Sequence, residues 1–223
     1  MQRSVGTGIF LAAALALAGC GHPEQRVVDQ YFGALKAGDN QTLTSFAATK
    51  IDKKVDKWKI VSVSPEAVAE APLPALAKAF ADAQATYEKE KKDIQRMALD
   101  KYSEYEQVRD IEKKGGKVPA NLQDMHDKLE AWKKREVELK RQIVEAKAAA
   151  DAERRIVQLS MGSNVDNIDT IAADMASKDV DLALTVADQE ESWVMHLKKY
   201  TPKESSGARV ISRWAIAGLE PKK

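Results

Sequence analysis

LQDMHDKLEAWKKREVELKRQIVEAKAAADAERRIV, residues 122–157, carries a seven-residue repeat in which one set of positions recurs at alternating steps of three and four. These seam positions are Leu122, Met125, Leu129, Trp132, Glu136, Leu139, Ile143, Ala146, Ala150, Glu153 and Val157. The residues between them are mostly Glu, Lys, Arg, Gln and Ala, which favour helix. Such a repeat predicts a helix that winds about a second helix along a narrow seam.

The second helix is predicted in residues 73–111, which carry the same repeat. Its seam positions are Leu73, Leu76, Phe80, Ala83, Tyr87, Glu90, Ile94, Met97 or Ala98, Tyr102, Tyr105, Val108 and Ile111. Gly115, Gly116 and Pro119 interrupt the helical pattern, and a short turn there makes the two helices antiparallel. We therefore predict a coiled-coil hairpin over residues 73–160, with its turn at 115–119 and arms about 60 Å long.

The charged residue Glu136 bears on the register of the hairpin, because a charge in a seam costs stability unless it finds a partner. Folding the arms about the predicted turn places Glu136 beside Ala98 and Lys101, and Tyr87 opposite Ala146. We expect a Lys101–Glu136 salt bridge from this register. It contributes at most about 1 kcal/mol because it is exposed to solvent.

The segments before the hairpin have the pattern of a small mixed domain. Residues 23–37 and 40–46 are predicted helices, with Gly38 as the stop of the first and Asn40 as the cap of the second. Residues 58–64 alternate apolar and polar side chains, which predicts a strand.

The segments after the hairpin are predicted to add one helix, over residues 164–177, and three strands. The alternating stretches that predict the strands are Val180 to Val186, Trp193 to Leu197, and Val210 to Ile216, with polar turns at 187–192 and 201–208. This order is typical of an antiparallel meander with one buried face. The predicted fold class is α+β: a small antiparallel-sheet cone with packed helices, built from residues 26–72 and 161–223 and carrying the inserted hairpin.

Two short motifs resemble the cystatin-like α+β cone of the nuclear-transport-factor-two-like superfamily. They are Ala-Leu-Lys-Ala-Gly-Asp at residues 34–39 and Ser-Arg-Trp-Ala-Ile at residues 212–216. The resemblance covers residues 23–72 and 162–220, and the long hairpin departs from the usual plan of that fold. It also implies that the cone is able to host a pocket lined by Asp, Tyr or His, as in the isomerases and cyclases of the superfamily.

The amino terminus has the pattern of a secretory signal. Arg3 supplies a positive start, an apolar run extends from Val5 to Leu17, and small residues precede Cys20. The apolar run has about 13 residues, whereas a bilayer core of roughly 30 Å needs about 20. We therefore predict export and cleavage, with residues 1–19 as the signal peptide.

Leu17-Ala18-Gly19-Cys20 resembles the bacterial lipobox. The resemblance implies diacylglycerol on the Cys20 thiol, cleavage before this residue and acylation of the new amino terminus by a fatty acid such as palmitate. Residues 20–25 are then a lipidated tether, and Gly21 implies sorting to the outer membrane, facing the periplasm. Since Cys20 is the sole cysteine of the chain, an internal disulfide is excluded.

Composition and motifs argue against several classes of function. Removal of residues 1–19 leaves 34 basic and 34 acidic side chains, so net charge gives no reason to expect a nucleic-acid partner. His22, His126 and His196 fall in the tether, the hairpin and a strand, and are not paired at metal-ligand spacing. Neither a phosphate-cradling glycine loop nor a nucleophile motif occurs in the sequence. We predict no metal, no cofactor and no nucleic-acid partner.

The function predicted from the sequence is that of a non-enzymatic, membrane-anchored periplasmic lipoprotein that serves as a binding or scaffold module. The hairpin is expected to face a protein partner and to be an appendage, so that excision of about residues 74–155 leaves a folded domain. Trp132 either fills the seam or forms a docking patch, with seam filling preferred. Glu136 and Lys101 fix the register.

Two other functions remain open at this point. The first is a small-ligand carrier or enzyme with a cone pocket, for which Asp29, Tyr31, His196 and Tyr200 are the candidate polar groups. His196 and Tyr200 lie opposite the apolar positions of their strand, so both are expected to face water. The second is a component like an efflux-pump adaptor, a class that also combines a lipid anchor with a helical hairpin.

Overall fold

The computed structural model describes residues 23–162, 165–203 and 212–222. Within them the chain is an α+β protein with an antiparallel sheet, as the sequence predicts, and this sheet has five strands where the sequence predicts four. The predictions for the signal peptide, the lipobox with Cys20, and Val210 concern residues outside this described part. Among the helices that are described, none is long and apolar enough to cross a bilayer.

The helices and strands form four groups along the described chain: two helices, two strands, three helices and three strands. The helices are α1 (Pro23–Ala37), α2 (Asn40–Phe46), α3 (Leu73–Asp100), α4 (Tyr102–Lys113) and α5 (Gln123–Met161). The strands are β1 (Lys57–Val63), β2 (Ala67–Glu70), β3 (Ala173–Val186), β4 (Gln189–Pro202) and β5 (Ala215–Pro221). Short 3₁₀ turns at Ala120–Leu122 and Ile168–Thr170 precede α5 and β3. The bounds of α1 and α2 agree with the sequence prediction, although Asp39 rather than Asn40 caps α2 by accepting the Thr42 N–H.

Strand β3 is the centre of the sheet. Strands β1 and β2 pair with its two halves along one edge, β4 pairs with the other edge over its full length, and β5 lies outside β4. The register sets Leu184 opposite Trp58 and Leu182 opposite Trp193. The β3–β4 turn is the pair Ala187-Asp188, both with positive φ. It is therefore shorter than the predicted turn at 187–192.

Helices α1 and α2 cover one face of the sheet. The buried side chains of this α1 core are Val28, Tyr31, Phe32, Ala34, Leu43, Phe46, Ala47, Ile51, Val55, Val180, Leu182, Leu184, Trp193, Met195, Leu197, Ile216 and Leu219. Phe32 stacks on Trp58, with ring centroids 5.2 Å apart. The predicted alternation of β3 and β4 is thus confirmed, because its apolar positions form the sheet side of this core.

The end of α5 covers the opposite face. Tyr200 pairs with Met175, and these residues lie five positions from Met195 and Val180 on the same strands. Alternation therefore points Tyr200 and Met175 away from the α1 core. The buried residues of this second core, the α5 core, are Ala71, Leu73, Ile156, Val157, Leu159, Met161, Ala173, Tyr200 and Ala215. The last turns of α5 thus belong to the interior of the sheet domain.

Away from the sheet, α3 and α5 contact each other and run in opposite directions. Tyr87 lies by Glu136, with 3.3 Å between Oη and Oε1, and Arg135 makes two hydrogen bonds to Glu90 at 2.9 and 3.0 Å. Farther out, Lys101 Nζ is 3.8 Å from Asp124, at the start of α5. We call residues 78–147 the arm, and its end near Lys101 and Asp124 the tip.

The predicted first helix of the hairpin is broken at Lys101, which has φ −117° and ψ 40°. Helix α4 then folds back along α5. It begins next to Lys101, which contacts Asp124, and near its end Glu112 contacts Lys133, nine residues farther along α5, so α4 and α5 run in the same direction. The tip has a small core of its own, made of Val108, Leu122, Met125 and Leu129. The glycine-containing turn at 115–119 lies between α4 and the 3₁₀ turn before α5, as predicted. The chain also reverses its direction a second time, at Lys101 between α3 and α4.

The predicted register of the long helices is wrong, and the break at Lys101 is the reason. Because α4 does not continue α3, Tyr87 faces Trp132 and Glu136 instead of Ala146. The predicted Lys101–Glu136 salt bridge is likewise absent from the described residues. Lys101 pairs with Glu104 and Asp124, and Glu136 pairs with Lys140.

Three further predictions for the sheet are wrong in part. The predicted helix over residues 164–177 is replaced by the 3₁₀ turn Ile168–Thr170 and the first half of β3, because β2 and β4 pair with that half. Strand β2 was not predicted, since all four of its residues are exposed and show no alternation. Strand β5 begins at Ala215, later than predicted, and includes Gly218.

Candidate functional site

The outer part of the arm has a shallow groove between α3 and α5. Its lining residues are Glu90, Asp93, Ile94, Met97, Lys128, Ala131, Trp132 and Arg135. Trp132 stacks on Tyr87, with centroids 6.3 Å apart and an interplanar angle of 25°, and remains half-buried. Trp132 therefore fills the helix interface, which is the preferred interpretation, and it also lines the groove. Its role as a docking patch for a partner stays a prediction.

Two large apolar side chains are exposed at the tip, on either side of the break at Lys101. Leu99 is 73% exposed and Tyr102 is 61% exposed. Leu99 lies outside the predicted seam, and Tyr102 is exposed although its position belongs to that seam. The sequence does carry a sign of this exposure, because Leu99 is an apolar residue outside the seam positions in a charged stretch.

A cluster of charged side chains fastens α4 to α5 behind the tip. Glu112, His126 and Glu130 each offer one metal-ligating atom, and these atoms lie within 4.8 Å of one another. Lys133 Nζ lies 3.0 Å from Glu112 Oε2 and 2.6 Å from Glu130 Oε1, so its ammonium forms an ion pair with each carboxylate. The hydrogen bond from Lys133 holds the pKa of Glu112 below its usual range. The cluster is accounted for as an ion-pair network, and the expectation of no metal site stays a prediction.

A buried polar network joins the base of α5 to β4. The Glu153 carboxylate accepts a hydrogen bond from Tyr200 Oη and lies 2.9 Å from Lys198 Nζ. Glu153 is 7% exposed and Tyr200 fully buried. Burial and the adjacent carboxylate raise the pKa of Tyr200. Ser160 accepts the Tyr200 N–H and donates to the Arg213 carbonyl. Every polar group is partnered, as a structural network requires.

The polar candidates for a cone pocket do not form one site. Tyr31 is buried in the α1 core, where its hydroxyl accepts the Ile51 N–H and donates to the Thr49 carbonyl. Burial raises its pKa. Asp29 accepts the indole N–H of Trp58 at 2.8 Å. Tyr200, which was expected to face water, is on the opposite face and covered by α5. The sheet therefore separates these groups.

His196 lies on the face opposite the α1 core and remains partly exposed, as predicted. Its Nδ1 is 2.7 Å from Asp179 Oδ1, and its Nε2 is 3.7 Å from Glu220 Oε1. The paired residue Gly218 leaves room for the ring, since a Cβ there would lie 3.1 Å from the His196 Cδ2. The His196–Asp179 contact is a cross-strand hydrogen bond at the protein surface.

The chain was compared with protein-family models, with curated proteins and with solved structures. No family model matches it, and no curated protein or solved structure does.

Proposed function

We propose that the protein is a lipid-anchored, non-enzymatic module of the bacterial cell envelope that faces the periplasm from the outer membrane and whose arm binds a protein partner at its tip. The observation that carries the proposal is the exposure of Leu99 and Tyr102 at the break between α3 and α4. These side chains lie on a tip that has its own apolar core, separate from the two cores of the sheet domain.

The chemistry of the outer arm suits a protein surface as its partner. Tyr, Trp and Arg are the side chains that most often dominate binding energy at protein interfaces. Tyr102 is at the tip, and Trp132 and Arg135 line the nearby groove. The charges around the groove have both signs, which suits a specific mixed surface better than a uniformly charged polymer.

The packing of the α1 core argues against the pocket alternative. Trp193 is buried in this core, and Trp58 and Trp214 pack against it. These three indoles occupy volume that a ligand in the cone would need. A catalytic or carrier function is therefore not part of the proposal.

The finer architecture is also proposed. We infer that α3 and α5 form an antiparallel coiled coil, supported by the Tyr87–Trp132 stacking and by the burial of Leu139 in the arm. We infer that α1, α2 and the sheet form a cone of the nuclear-transport-factor-two-like type. The support is that α1 packs on one sheet face and turns into α2 at Gly38, within the motif of residues 34–39.

The anchor is tested by replacing Cys20 with serine. The variant is expected to lose the diacylglycerol mass on its amino-terminal peptide and to leave the membrane fraction after a wash with 1 M NaCl. Such a wash removes electrostatic association, because the screening length falls to about 3 Å. Fractionation and mass spectrometry give the two readouts. Unmodified Cys20 in the wild-type protein contradicts the anchor.

The partner-binding role is tested by photo-crosslinking in intact cells. A photoreactive amino acid at Tyr102 or Leu99 is expected to give one discrete protein adduct. The matched control is Val68, which is 65% exposed but lies on β2 in the sheet. Adduct formation at Val68 equal to that at the tip, or none at either tip position, argues against a partner-binding tip.

A further inference from the structure

Two lysine side chains flank Trp214 on the α1 side of the sheet. Lys199 Nζ lies 4.9 Å from the centroid of the indole and Lys178 Nζ lies 5.3 Å from it. Trp214 is half-buried, with the rest of its surface open. We call Lys178, Lys199 and Trp214 the lysine–tryptophan patch.

The patch adjoins the first turn of α1. Lys178 Nζ is 2.7 Å from the Glu24 carboxylate, and Glu24 is the second residue of the helix. Glu24 is 3% exposed and its charge is met by this lysine. In residues 23–162, 165–203 and 212–222, no carboxylate forms an ion pair with Lys199. Lys178 Nζ also lies 3.5 Å from Glu66 Oε2, so two carboxylates compensate its charge. The positive charge that the patch presents beside the aromatic ring is therefore that of Lys199.

The proposed lipid anchor lies close to this end of α1. Cys20 precedes Pro23 by three residues, which span at most about 11 Å when fully extended. A polar headgroup layer is itself roughly 5–7 Å thick on each side of the hydrocarbon core. A lipid on Cys20 therefore keeps the first turn of α1 within reach of the headgroup surface, but a short tether does not by itself set the tilt of the helix. Groups beside that turn are able to reach the surface, and the far end of the 15-residue helix lies about 20 Å from them along the helix axis.

We propose that the lysine–tryptophan patch binds the headgroups of anionic phospholipids and thereby sets the orientation of the domain on the membrane. Tryptophan is enriched at the membrane interface because its ring is apolar and its N–H is polar. The ammonium group of a lysine extends toward phosphate groups while its methylene chain lies along apolar surface. A negative membrane surface attracts such lysines within about a Debye length, roughly 8 Å at physiological salt. This inference rests on the lipid anchor of the proposed function.

The geometry allows a direct test with the lipidated full-length protein in vesicles. A fluorophore on cysteine at Thr201 reports on the patch, because Thr201 is exposed and points to the same face as Lys199, about 7 Å farther along β4. The control label is at Lys54, an exposed lysine in the loop near the other end of α1. The Cys20 thiol is blocked by lipid, so each variant carries one label.

Quenching by headgroup spin-labelled lipid is the measurement. In vesicles with about one-third phosphatidylglycerol, quenching at position 201 is expected to exceed that at position 54 at least twofold. Lys199→Gln or 1 M NaCl is expected to bring the two values together, as are vesicles of phosphatidylcholine alone. Circular dichroism checks that Lys199→Gln keeps the fold.

Two results overturn the proposal in distinguishable ways. Equal quenching at both positions in lipidated protein, or quenching at 201 that ignores vesicle charge and Lys199→Gln, refutes headgroup binding by the patch and leaves the anchor intact. Mass spectrometry that finds Cys20 without lipid refutes the anchor and, with it, this inference.

Discussion

Replacing Glu153 with alanine is expected to lower the free energy of unfolding by about 3 kcal/mol. The carboxylate is buried at the base of α5 and meets both Lys198 and Tyr200. Its removal leaves an ammonium and a phenolic hydroxyl without their partner. The loss is placed at the low end for a buried ion pair because the Lys198 side chain is 25% exposed. Thermal unfolding should shift downward by on the order of 10 °C.

The control for this prediction is Glu145→Ala, eight residues earlier on α5. Glu145 is 59% exposed and pairs only with Arg141 among the described residues. Its removal should change stability by no more than about 0.5 kcal/mol. Similar losses in both variants would show that the Glu153 network is not a buried, stabilising contact.

Whether the protein still unfolds cooperatively after excision of the arm is expected to depend on where the chain is cut. Deleting residues 78–147 and joining the ends with a Gly-Ser linker keeps Leu73, Glu153 and the whole α5 core. This variant should unfold in one cooperative transition, followed by tryptophan fluorescence. Deleting residues 74–155 removes Glu153 as well, and leaves Tyr200 buried without its partner. That variant should lose cooperativity, which reverses the expectation from the sequence for these boundaries, because the base of α5 is part of the sheet domain.

The two deletions together distinguish the contribution of the arm to folding from that of the last turns of α5. A cooperative product from the longer deletion would mean that the last turns of α5 add little to the sheet domain. A molten product from the shorter deletion would mean that the arm is required for folding, and would remove the main reason for treating the tip as an independent binding element.

Strong alternation made the central strands predictable. Val180, Leu182 and Leu184 all face the α1 core, and a one-residue slip would turn the whole set toward water. The first half of β3 gave no such signal, because Ile168, Ile171 and Met175 also fit helical spacing. Pairing with β2 and β4 decides its conformation, and such tertiary context is not visible in a local window.

The arm was predictable as helix but not in its register. The break at Lys101 contains neither glycine nor proline, so it left no sequence mark comparable to Gly115-Gly116. What fixes it is burial of Val108 against Met125 and Leu129, a contact between segments. The seam residue Glu153 did carry information of another kind, because it marks where α5 begins to pack against the sheet.

Helix α5 contributes to the tip core at one end and to the α5 core at the other, without interruption over 39 residues. It is therefore a lever about 58 Å long. A rotation of about 10° at the sheet end displaces the tip by about 10 Å. Conversely, a sideways load at the tip acts as a torque on the contacts of Glu153 and Ser160 with Lys198 and Tyr200 of β4. A partner that pulls on the tip would thus strain the strand next to the centre of the sheet.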